Sequence, residues 1–373
     1  MENKTTLRPF GFRDKLGYLF GDFGNDFTFI LSTMLLLKFY TDVMGVAAEV
    51  VGLVMMLARF VDAVTDVAMG RICDRSRVTK NGKFKPWILR MCVPVAIASF
   101  LMYQSTLADA AMGVKIAYLS VTYILWGSIF YTSINIPYGS MASAISRDPG
   151  DRQSLSTFRT MGGTLAGMII GIGLPLLAYD KVGDLQVLSG SKVTVAAGIF
   201  SLLAIVCYLL CYKLVTERVN PEATMSEEER ARIKAENSVG KMLKNAFTNR
   251  ALLSIIAASI VMLLAQLTMQ NMMSYIYPDY YKNVTAQSAS TAMMMVGMVV
   301  AAIVAKPLGK KFGKAEVSIV SNLFAVVVCV APSSSVPRAF GCSADCSCST
   351  GWVSVSSPWF PGLSSPMLST TPS

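Results

Sequence analysis

Two aspartates stand four residues apart in a segment, residues 50–70, that is otherwise apolar enough to cross a membrane. An ionised carboxylate in hydrocarbon costs roughly 3 kcal/mol even on a lenient scale, so such groups are kept where they face a protein interior or a watery cavity. Arg59, Asp62 and Asp66 lie at i, i+3 and i+7, which puts them on one face of a helix. Together they carry one net negative charge, which suits one bound cation. The pattern indicates a cation-coupled transporter rather than an enzyme; a purely structural ion cluster is the alternative.

Composition agrees with a chain that is mostly embedded in a bilayer. The 373 residues are 53% hydrophobic and 15% charged, with a mean hydropathy of +0.50, whereas soluble domains carry about 25% charged residues. The net charge of +10 is concentrated in alternate loops, which is typical of cytoplasmic loops and not of a nucleic-acid-binding surface. We therefore expect a multi-pass protein of the cytoplasmic membrane, with its N-terminus in the cytoplasm and no nucleic-acid partner.

Apolar runs of about 20 residues predict an all-α polytopic membrane protein. Nine spans are expected, with approximate bounds of 16–40, 47–70, 86–106, 113–137, 159–179, 193–215, 251–278, 287–306 and 315–331. There are no histidines, which excludes histidine-based catalysis and metal sites. No arrangement of a nucleophile and a base is evident, so the chain is not expected to be an enzyme or to hold a cofactor.

The long loop after the sixth span divides the chain into predicted regions. Residues 1–215 are expected to form a complete N-terminal six-helix bundle, and 251–331 an incomplete C-terminal bundle of three helices. Between them, 216–250 reads as a cytoplasmic linker with a basic amphipathic helix, although a plain solvated linker fits equally well. Residues 332–373 are rich in Ser, Pro and Cys and are expected to be a disordered tail or the product of a change of reading frame.

Several motifs resemble glycoside–pentoside–hexuronide:cation symporters, melibiose-permease-like members of the major facilitator superfamily. They are GYLFGDFGNDF at 17–27, FYTDV at 39–43, ARFVDAVTD at 58–66, GKFKPWIL at 82–89 and VTYILWG at 121–127. The resemblance covers about residues 14–330. It implies the major facilitator fold of two six-helix bundles, and cation-driven sugar transport by alternating access.

The resemblance also implies roles for individual residues. Asp62 and Asp66 correspond to cation ligands, and Thr132 to a threonine of the same site, where Thr65 replaces an asparagine. Asp26 and Arg159 correspond to residues that bind sugar hydroxyls. Asn25, Asn135 and Gly139 stand where melibiose permease has lysine, aspartate and tryptophan. Because of these departures, the resemblance does not identify the sugar. The coupling ion is expected to be Na⁺ or H⁺.

Residue chemistry adds further candidates to the site. Asp22 lies one turn before Asp26 on the same helical face, and Tyr131 and Trp126 offer aromatic surface for a sugar ring. Gln266 and Gln270 give the seventh span a polar face that can close the cavity or bond to neighbouring helices. Three further charged residues are expected to have structural or gating roles: Arg59, Asp74 and Arg75.

The sequence thus predicts a secondary transporter with a sugar, a monovalent cation and the lipid bilayer as partners. The coupling would be by linkage, because a cation at the aspartates would preorganise the sugar site. Two alternatives remain open. One is a non-transporting truncated product or a sugar-binding sensor remnant, and the other is a related facilitator for another organic solute.

Overall fold

Helices make up nearly all of the described chain. The computed structural model describes residues 8–79, 81–182, 185–219 and 248–294, with 297, 320 and 323. All of the predicted ninth span except residues 320 and 323 lies outside the described residues, as do the tail and most of the linker. Most of the eighth span also lies outside them, and its residues 287–294 are helical. The helices are α1 Phe12–Lys38, α2 Ala48–Arg75, α3 Lys85–Leu101, α4 Met112–Ile124, α5 Thr132–Ile145, α6 Pro149–Ala178, α7 Gly190–Leu214 and α8 Arg250–Tyr275.

Length and composition allow five helical segments of the described chain to cross a membrane. They are Lys85–Leu107, Met112–Ile145, Pro149–Ala178, Gly190–Leu214 and Ile256–Tyr280. Helices α1 and α2, with 27 and 28 residues, are also long enough to span hydrocarbon. These two helices hold Asp22, Asp26, Asp62 and Asp66. The predicted all-α membrane fold is confirmed, and α1 and α2 supply the four carboxylates of the candidate site.

Helices α4 and α5 form one continuous span, joined by a π-helical turn, Leu125–Tyr131. The predicted end of this span at residue 137 is therefore wrong, since helix continues to Ile145 with Pro137 inside it. A proline is tolerated in a membrane helix when neighbouring groups satisfy the backbone bond that it removes. π-Helical turns are rare and occur often at functional sites.

Helix α6 begins ten residues earlier than its predicted span. The Asp148 side chain caps it by accepting a bond from the Asp151 amide at 3.0 Å, which satisfies one of the free amides of the first turn. Arg159 consequently lies well inside α6 and not at its start. After α6, β1 (Tyr179–Val182) pairs antiparallel with β2 (Leu185–Leu188). This short hairpin was not predicted, because four residues are too few for an alternating pattern to stand out.

Helix α1 packs most closely against α7, because glycines along α1 let the neighbouring helices approach. A Cβ atom at Gly21 would lie 2.2 Å from the Tyr138 ring, and one at Gly24 would lie 2.7 Å from the ring of Tyr208 on α7. Small residues at such contacts are the usual means by which membrane helices pack closely. The packing fixes the rotation of α1, and with it the direction in which Asp22 and Asp26 face.

The chain that follows α7 is bonded back onto the helix ends. Asp14, 0% exposed, forms ion pairs with Arg8 and Arg218, each at 2.8 Å. Its carboxylate also accepts the backbone amides of Thr216 and Gly11, at 3.0 and 3.2 Å. We call Arg8, Asp14 and Arg218 the Asp14 cluster. The amides of Arg218 and Val219 donate to the Ala144 carbonyl at 2.7 and 2.8 Å. Residues 215–219 are thereby tied to the ends of α1 and α5.

Glu217 caps α3 from a distance in sequence. Its carboxylate accepts the amides of Lys83, Phe84 and Lys85 at 2.7, 3.0 and 2.7 Å. These are free amides at the start of a helix, where a negative charge is favoured. Gly82 makes this approach possible, since its φ is +106° and a Cβ atom there would lie 2.4 Å from the Glu217 carboxylate carbon. Burial raises the pKa of Glu217, although these amide donors partly offset the effect.

Contacts divide the described chain into two units, and every candidate-site residue whose side chain is described belongs to the larger one. The smaller unit comprises 171–176 and the described residues from 277 onward. Within it, the Tyr277 hydroxyl bonds to Ser290 Oγ at 2.5 Å, and Ser288 Oγ donates to the Ile172 carbonyl at 3.0 Å.

Candidate functional site

Three charged residues of α2, Arg59, Asp62 and Asp66, line one cavity of about 320 Å³. Their common helical face, predicted from their spacing, is thus confirmed. The other walls come from α1, from the π-helical turn and from α5. The full lining is Phe29, Arg59, Asp62, Ala63, Asp66, Trp126, Gly127, Tyr131, Thr132 and Asn135.

Two carboxylate–hydroxyl pairs connect α2 to the helix opposite. Ser128 Oγ donates to Asp62 Oδ1 at 2.5 Å, and Thr132 Oγ1 donates to Asp66 Oδ1 at 2.8 Å. Each pair joins residues four apart on one helix to residues four apart on the other, so the pairs lie about one turn above each other. This arrangement brings four oxygen-bearing side chains, two of them anionic, together within about one turn.

Arg59 balances only one of the two aspartates. Its Nη1 atom lies 3.0 Å from Asp62 Oδ2, and its Nη2 atom donates to the Tyr123 hydroxyl. Asp66 forms no ion pair with any residue that the structure describes, and it is exposed. The uncompensated negative charge that the sequence predicted therefore lies on Asp66, beside Thr132.

Thr65 is not brought into the cavity. Its hydroxyl lies 3.1 Å from the carbonyl oxygens of both Val61 and Asp62, within its own helix. A threonine hydroxyl that bonds in this way to the preceding turn is satisfied by the backbone of its own helix. Its role as a cation ligand stays a prediction.

The predicted sugar-binding charges lie together between α1 and α6. Arg159 Nε donates to Asp22 Oδ1 at 3.0 Å, and both groups are close enough to Asp26 to interact with it electrostatically. Asp26 itself has no hydrogen-bond partner among the described residues. Gly163 makes room for these carboxylates, since a Cβ atom there would lie 2.4 Å from Asp26 Oδ2 and 3.0 Å from Asp22 Oδ2.

Asn25 and Asn135 meet between the two groups of charges. The Asn25 side-chain amide donates to Asn135 Oδ1 at 3.4 Å, and Asn25 Oδ1 accepts from the Tyr208 hydroxyl at 2.9 Å. Asn25 is 1% exposed, and its two bonds connect α1 to α5 and α7. Asn135, in contrast, lines the cavity. The bond connects the residue next to Asp26 with the wall beside Asp66.

Aromatic rings cover one wall of the cavity. The Tyr131 ring lies 5.7 Å from Phe29 and 5.5 Å from Trp126, between ring centroids. Trp126 is 2% exposed, and its indole nitrogen has no hydrogen-bond partner among the residues that the structure describes. Tyr131 is near enough to both Asp26 and Arg59 to interact electrostatically with them. Tyr131 therefore lies near both the charged residues of α2 and the predicted sugar-binding charges.

The remaining candidates lie away from this cavity or cannot be placed against it. Asp74 and Arg75 are exposed at the end of α2, and neither forms an ion pair within the described part of the chain. The Asp74 backbone carbonyl, however, accepts from Lys83 Nζ at 2.8 Å. Gln266 and Gln270 belong to α8, but their side chains lie outside the described residues.

Two functional candidates were missed by sequence reasoning. Ser128 bonds directly to Asp62, and a signal for it existed, because Ser128 precedes Thr132 by the same four residues that separate the aspartates. Glu217 holds the loop before α3, where the prediction placed gating charges on Asp74 and Arg75. No local pattern could have shown this, since the contact spans more than 130 positions in the chain.

Solved structures show which fold this arrangement belongs to. The partially occluded, inward-open structure of the xylose transporter XylE from E. coli matches with a TM-score of 0.61 and 13% identity. The match covers 93% of this chain and 85% of that one. At this identity the likeness shows the fold alone, which is the major facilitator fold.

Sequence comparisons identify the family. An uncharacterised symporter, YjmB of Bacillus subtilis, is 29% identical over 320 residues, covering 84% of this chain and 65% of that protein. A glucuronide carrier protein homologue of Escherichia coli is 29% identical, covering 79% of this chain and 60% of that protein. The chain thus spans less than two thirds of the length of these relatives. The family model described as MFS/sugar transport protein matches residues 17–340, and the chain belongs to that family.

Proposed function

We propose that the protein is a secondary active transporter that couples the entry of a monovalent cation to the symport of a sugar, by alternating access. The observation that carries the proposal is the cavity between α2 and α5, which Asp62, Asp66 and Thr132 line inside membrane-length helices. Ionisable groups at such a depth are costly and are generally kept for function. Membership of a sugar-transport family supports the same class.

The cation site is assigned to Asp62, Asp66 and Thr132, with Thr65 as a more distant candidate. Hard cations take oxygen ligands such as carboxylates and hydroxyls, and those of Asp62, Asp66 and Thr132 face one cavity. Because Arg59 already balances Asp62, the remaining charge on Asp66 suits a single positive charge. Either Na⁺ or H⁺ satisfies this balance of charge.

The sugar site is assigned to Asp22, Asp26 and Arg159, with Tyr131 as the stacking surface. A carboxylate without a partner can accept hydrogen bonds from two sugar hydroxyls, and a guanidinium donates in a fork. Five further residues are assigned to the walls of this site: Asn25, Asn135, Trp126 and, from the first helix of the second half, Gln266 with Gln270. A glycoside, pentoside or hexuronide is the proposed class of substrate.

Coupling follows from the contact between the two sites. A cation drawn to Asp66 shifts the wall that contains Thr132 and Asn135, and Asn135 is bonded to Asn25 beside Asp26. If this shift improves the sugar site, each ligand raises the affinity of the other by the same factor. The tested quantity is therefore the change in sugar affinity with cation concentration.

The topology follows the same proposal. Residues 1–215 are the N-terminal six-helix bundle, 216–250 the linker, 251–331 part of the second bundle and 332–373 a tail. The excess of basic residues in alternate loops favours an N-terminus in the cytoplasm, with the protein in the cytoplasmic membrane. A cysteine-labelling test from either side of the membrane at exposed Asp109 and exposed Arg71 would check this orientation.

The decisive experiment is uptake by the full chain in proteoliposomes. Radiolabelled D-xylose and a methyl glucuronide are offered under an inward Na⁺ gradient, an inward proton gradient or no gradient. We expect accumulation of at least one sugar under one gradient and none without it. Sugar binding that is never followed by uptake would contradict transport and favour a binding or sensor protein.

A further inference from the structure

We propose that the sugar site selects against sugars that carry a carboxylate, and that Asp26 is the residue that sets this selection. The inference rests on the proposed symport and narrows its substrate class to uncharged glycosides and pentosides. It starts from a difference between the two acidic residues in the middle of α1. Asp22 is paired with Arg159 at 3.0 Å, whereas Asp26 has neither an ion pair nor a hydrogen bond with any described residue.

One guanidinium group faces two carboxylates between α1 and α6. Arg159 is near enough to interact electrostatically with both Asp22 and Asp26, but its Nε atom donates to Asp22 Oδ1. The two carboxylates border the same gap, since a Cβ atom at Gly163 would lie 2.4 Å from Asp26 Oδ2 and 3.0 Å from Asp22 Oδ2. The three ionised groups therefore carry one net negative charge, and Asp26 is the carboxylate left without a partner.

The other cations of the surrounding helices are too far away to balance Asp26. On α1, Lys15 and Lys38 lie about 17 and about 18 Å from it along the helix axis. Arg152 of α6 lies about 10 Å before Arg159 and donates to two backbone carbonyls, at 3.2 and 2.9 Å. The two lysines of α7 are in its first and last turns, and α5 and the π-helical turn contain no charged residue.

The neutral groups beside Asp26 are already bonded to neighbouring helices. Asn25 is 1% exposed, and it bonds to Asn135 at 3.4 Å and to the Tyr208 hydroxyl at 2.9 Å. Asp26 therefore needs a hydrogen-bond donor from the ligand. A sugar hydroxyl can supply one, whereas an ionised sugar carboxylate only accepts hydrogen bonds and has nothing to donate to Asp26.

The neighbouring cation site does not supply the missing positive charge. Arg59 pairs with Asp62 at 3.0 Å, and Asp66 has no ion-pair partner among the described residues. Together the two sites contain two guanidinium groups and four carboxylates, which gives a net charge of −2. One coupling cation reduces this to −1, but a sugar carboxylate would restore −2 inside membrane-length helices, where uncompensated charge is costly. An uncharged sugar adds no such cost.

The test compares two series of methyl glycosides by equilibrium binding to the purified full chain. The first is the β-D-xyloside, β-D-glucoside and β-D-glucuronide, in which C5 carries hydrogen, hydroxymethyl and carboxylate. The second is the galactoside and the galacturonide. We expect at least one neutral member to bind, and the uronide of its series to bind about hundredfold more weakly. That factor corresponds to two like charges about 6 Å apart at an effective dielectric constant of about 20.

Variants of Asp26 show whether this residue sets the selection. Asp26→Asn removes the charge and keeps the size of the side chain, so the ratio of neutral to uronide affinity should fall at least about tenfold. A purely structural role would lower both affinities and leave their ratio unchanged. Asp26→Glu keeps the charge and should retain the ratio. Glu49→Gln, at an exposed acid of α2, should alter neither affinity.

Each other outcome overturns a definite part of the inference. If a uronide binds as tightly as its neutral partners and accumulates under a gradient, the selection is wrong and symport stands. An unchanged ratio in Asp26→Asn would mean that another residue sets it. If the expected ratio is found but no gradient drives uptake, the proposed transport fails and the selection stands. Binding of no member of either series would show that both the sugar site and the inference are wrong. Should Asp26→Asn not fold, the comparison within each series on the original chain still decides whether carboxylates are rejected.

Discussion

The Asp14 cluster and the Asp62–Asp66 cavity both gather charged side chains between helices, yet they are built in opposite ways. Asp14 is 0% exposed, and both of its oxygens are bound by guanidinium groups and backbone amides. Asp66 is exposed, and within the described part of the chain its carboxylate is bonded only by the Thr132 hydroxyl. A charge that stabilises the fold is surrounded by permanent partners, whereas a charge that binds a ligand is left with open positions.

The largest expected difference between the two regions concerns Asp66. Asp66→Asn removes the uncompensated charge, and we expect cation-stimulated sugar uptake to fall to background. Because the side chain is exposed, the free energy of unfolding should change by less than about 0.5 kcal/mol. Uptake in proteoliposomes and thermal melting of the same sample measure both effects.

Glu49→Gln is the matched control for this change, since Glu49 is an exposed acid in the first turn of the same helix. It should leave uptake unaltered. Retained cation stimulation in Asp66→Asn would mean that the charge on α2 is structural after all.

In the Asp14 cluster, the loss of a charge should lower the free energy of unfolding. Asp14→Asn leaves Arg218, whose side chain is 14% exposed, without its anionic partner, and breaking a buried pair in this way costs roughly 3 kcal/mol. Chemical unfolding of the purified chain, followed by the loss of helical signal, measures the cost. Asp109→Asn, at an exposed aspartate, should cost almost nothing. Equal stability of the two variants would remove the contrast between the regions.

A smaller effect is expected at the glycine that faces the sugar-site carboxylates. Gly163→Ala places a Cβ atom 2.4 Å from Asp26 Oδ2, so the carboxylate must move, and we expect sugar affinity to fall about tenfold, equivalent to ~1.4 kcal/mol. Gly173→Ala on the same helix meets no described residue within 4 Å and serves as the control. Titration of sugar binding compares the two variants, and equal affinities would show that Asp26 does not need its observed position.

The smallest expected effect is at Glu217, and it depends on pH. Glu217→Gln replaces one acceptor oxygen with a donor that faces the Lys83 amide, at a cost of about 1 kcal/mol. The pKa of Glu217 is raised above 4.5 by burial, so the folded state binds the proton more tightly than the unfolded state. The contribution of Glu217 to the free energy of unfolding should therefore grow as pH falls through its folded pKa toward 4.5.

Thermal melting of both chains between about pH 8 and about pH 5 isolates this contribution, because the Gln variant has no such titration. A difference between the chains that stays constant or shrinks as pH falls would contradict the raised pKa.

The charged face of α2 could be predicted from sequence because local spacing is sufficient for it. Arg59, Asp62 and Asp66 lie on one helix, and helical periodicity alone makes them neighbours. Thr132 and Asn135 required the family resemblance, because nothing in their own segment shows which helix they oppose. Ser128 was missed because one serine in an apolar helix is far more often bonded to its own backbone.

Helix ends were less predictable than helix faces. One span was expected to end at 137 and the next to begin at 159. Helix instead continues to Ile145, and the next helix begins at Pro149, where the Asp148 side chain caps it. Glu217 and Arg218 fall where hydropathy shows only the start of a loop. Their partners are distant in sequence, so their role follows from packing that no local pattern records.

Residues 215–219 suggest where the gene can be divided. A cut at Leu214, where α7 ends, would remove Glu217 from the start of α3 and Arg218 from Asp14. A cut after Val219 leaves those bonds within the first fragment. Co-expression of two fragments split after Val219 should therefore reassemble more readily than a pair split after Leu214, and a fluorescent tag placed at the later position should disturb the helices less.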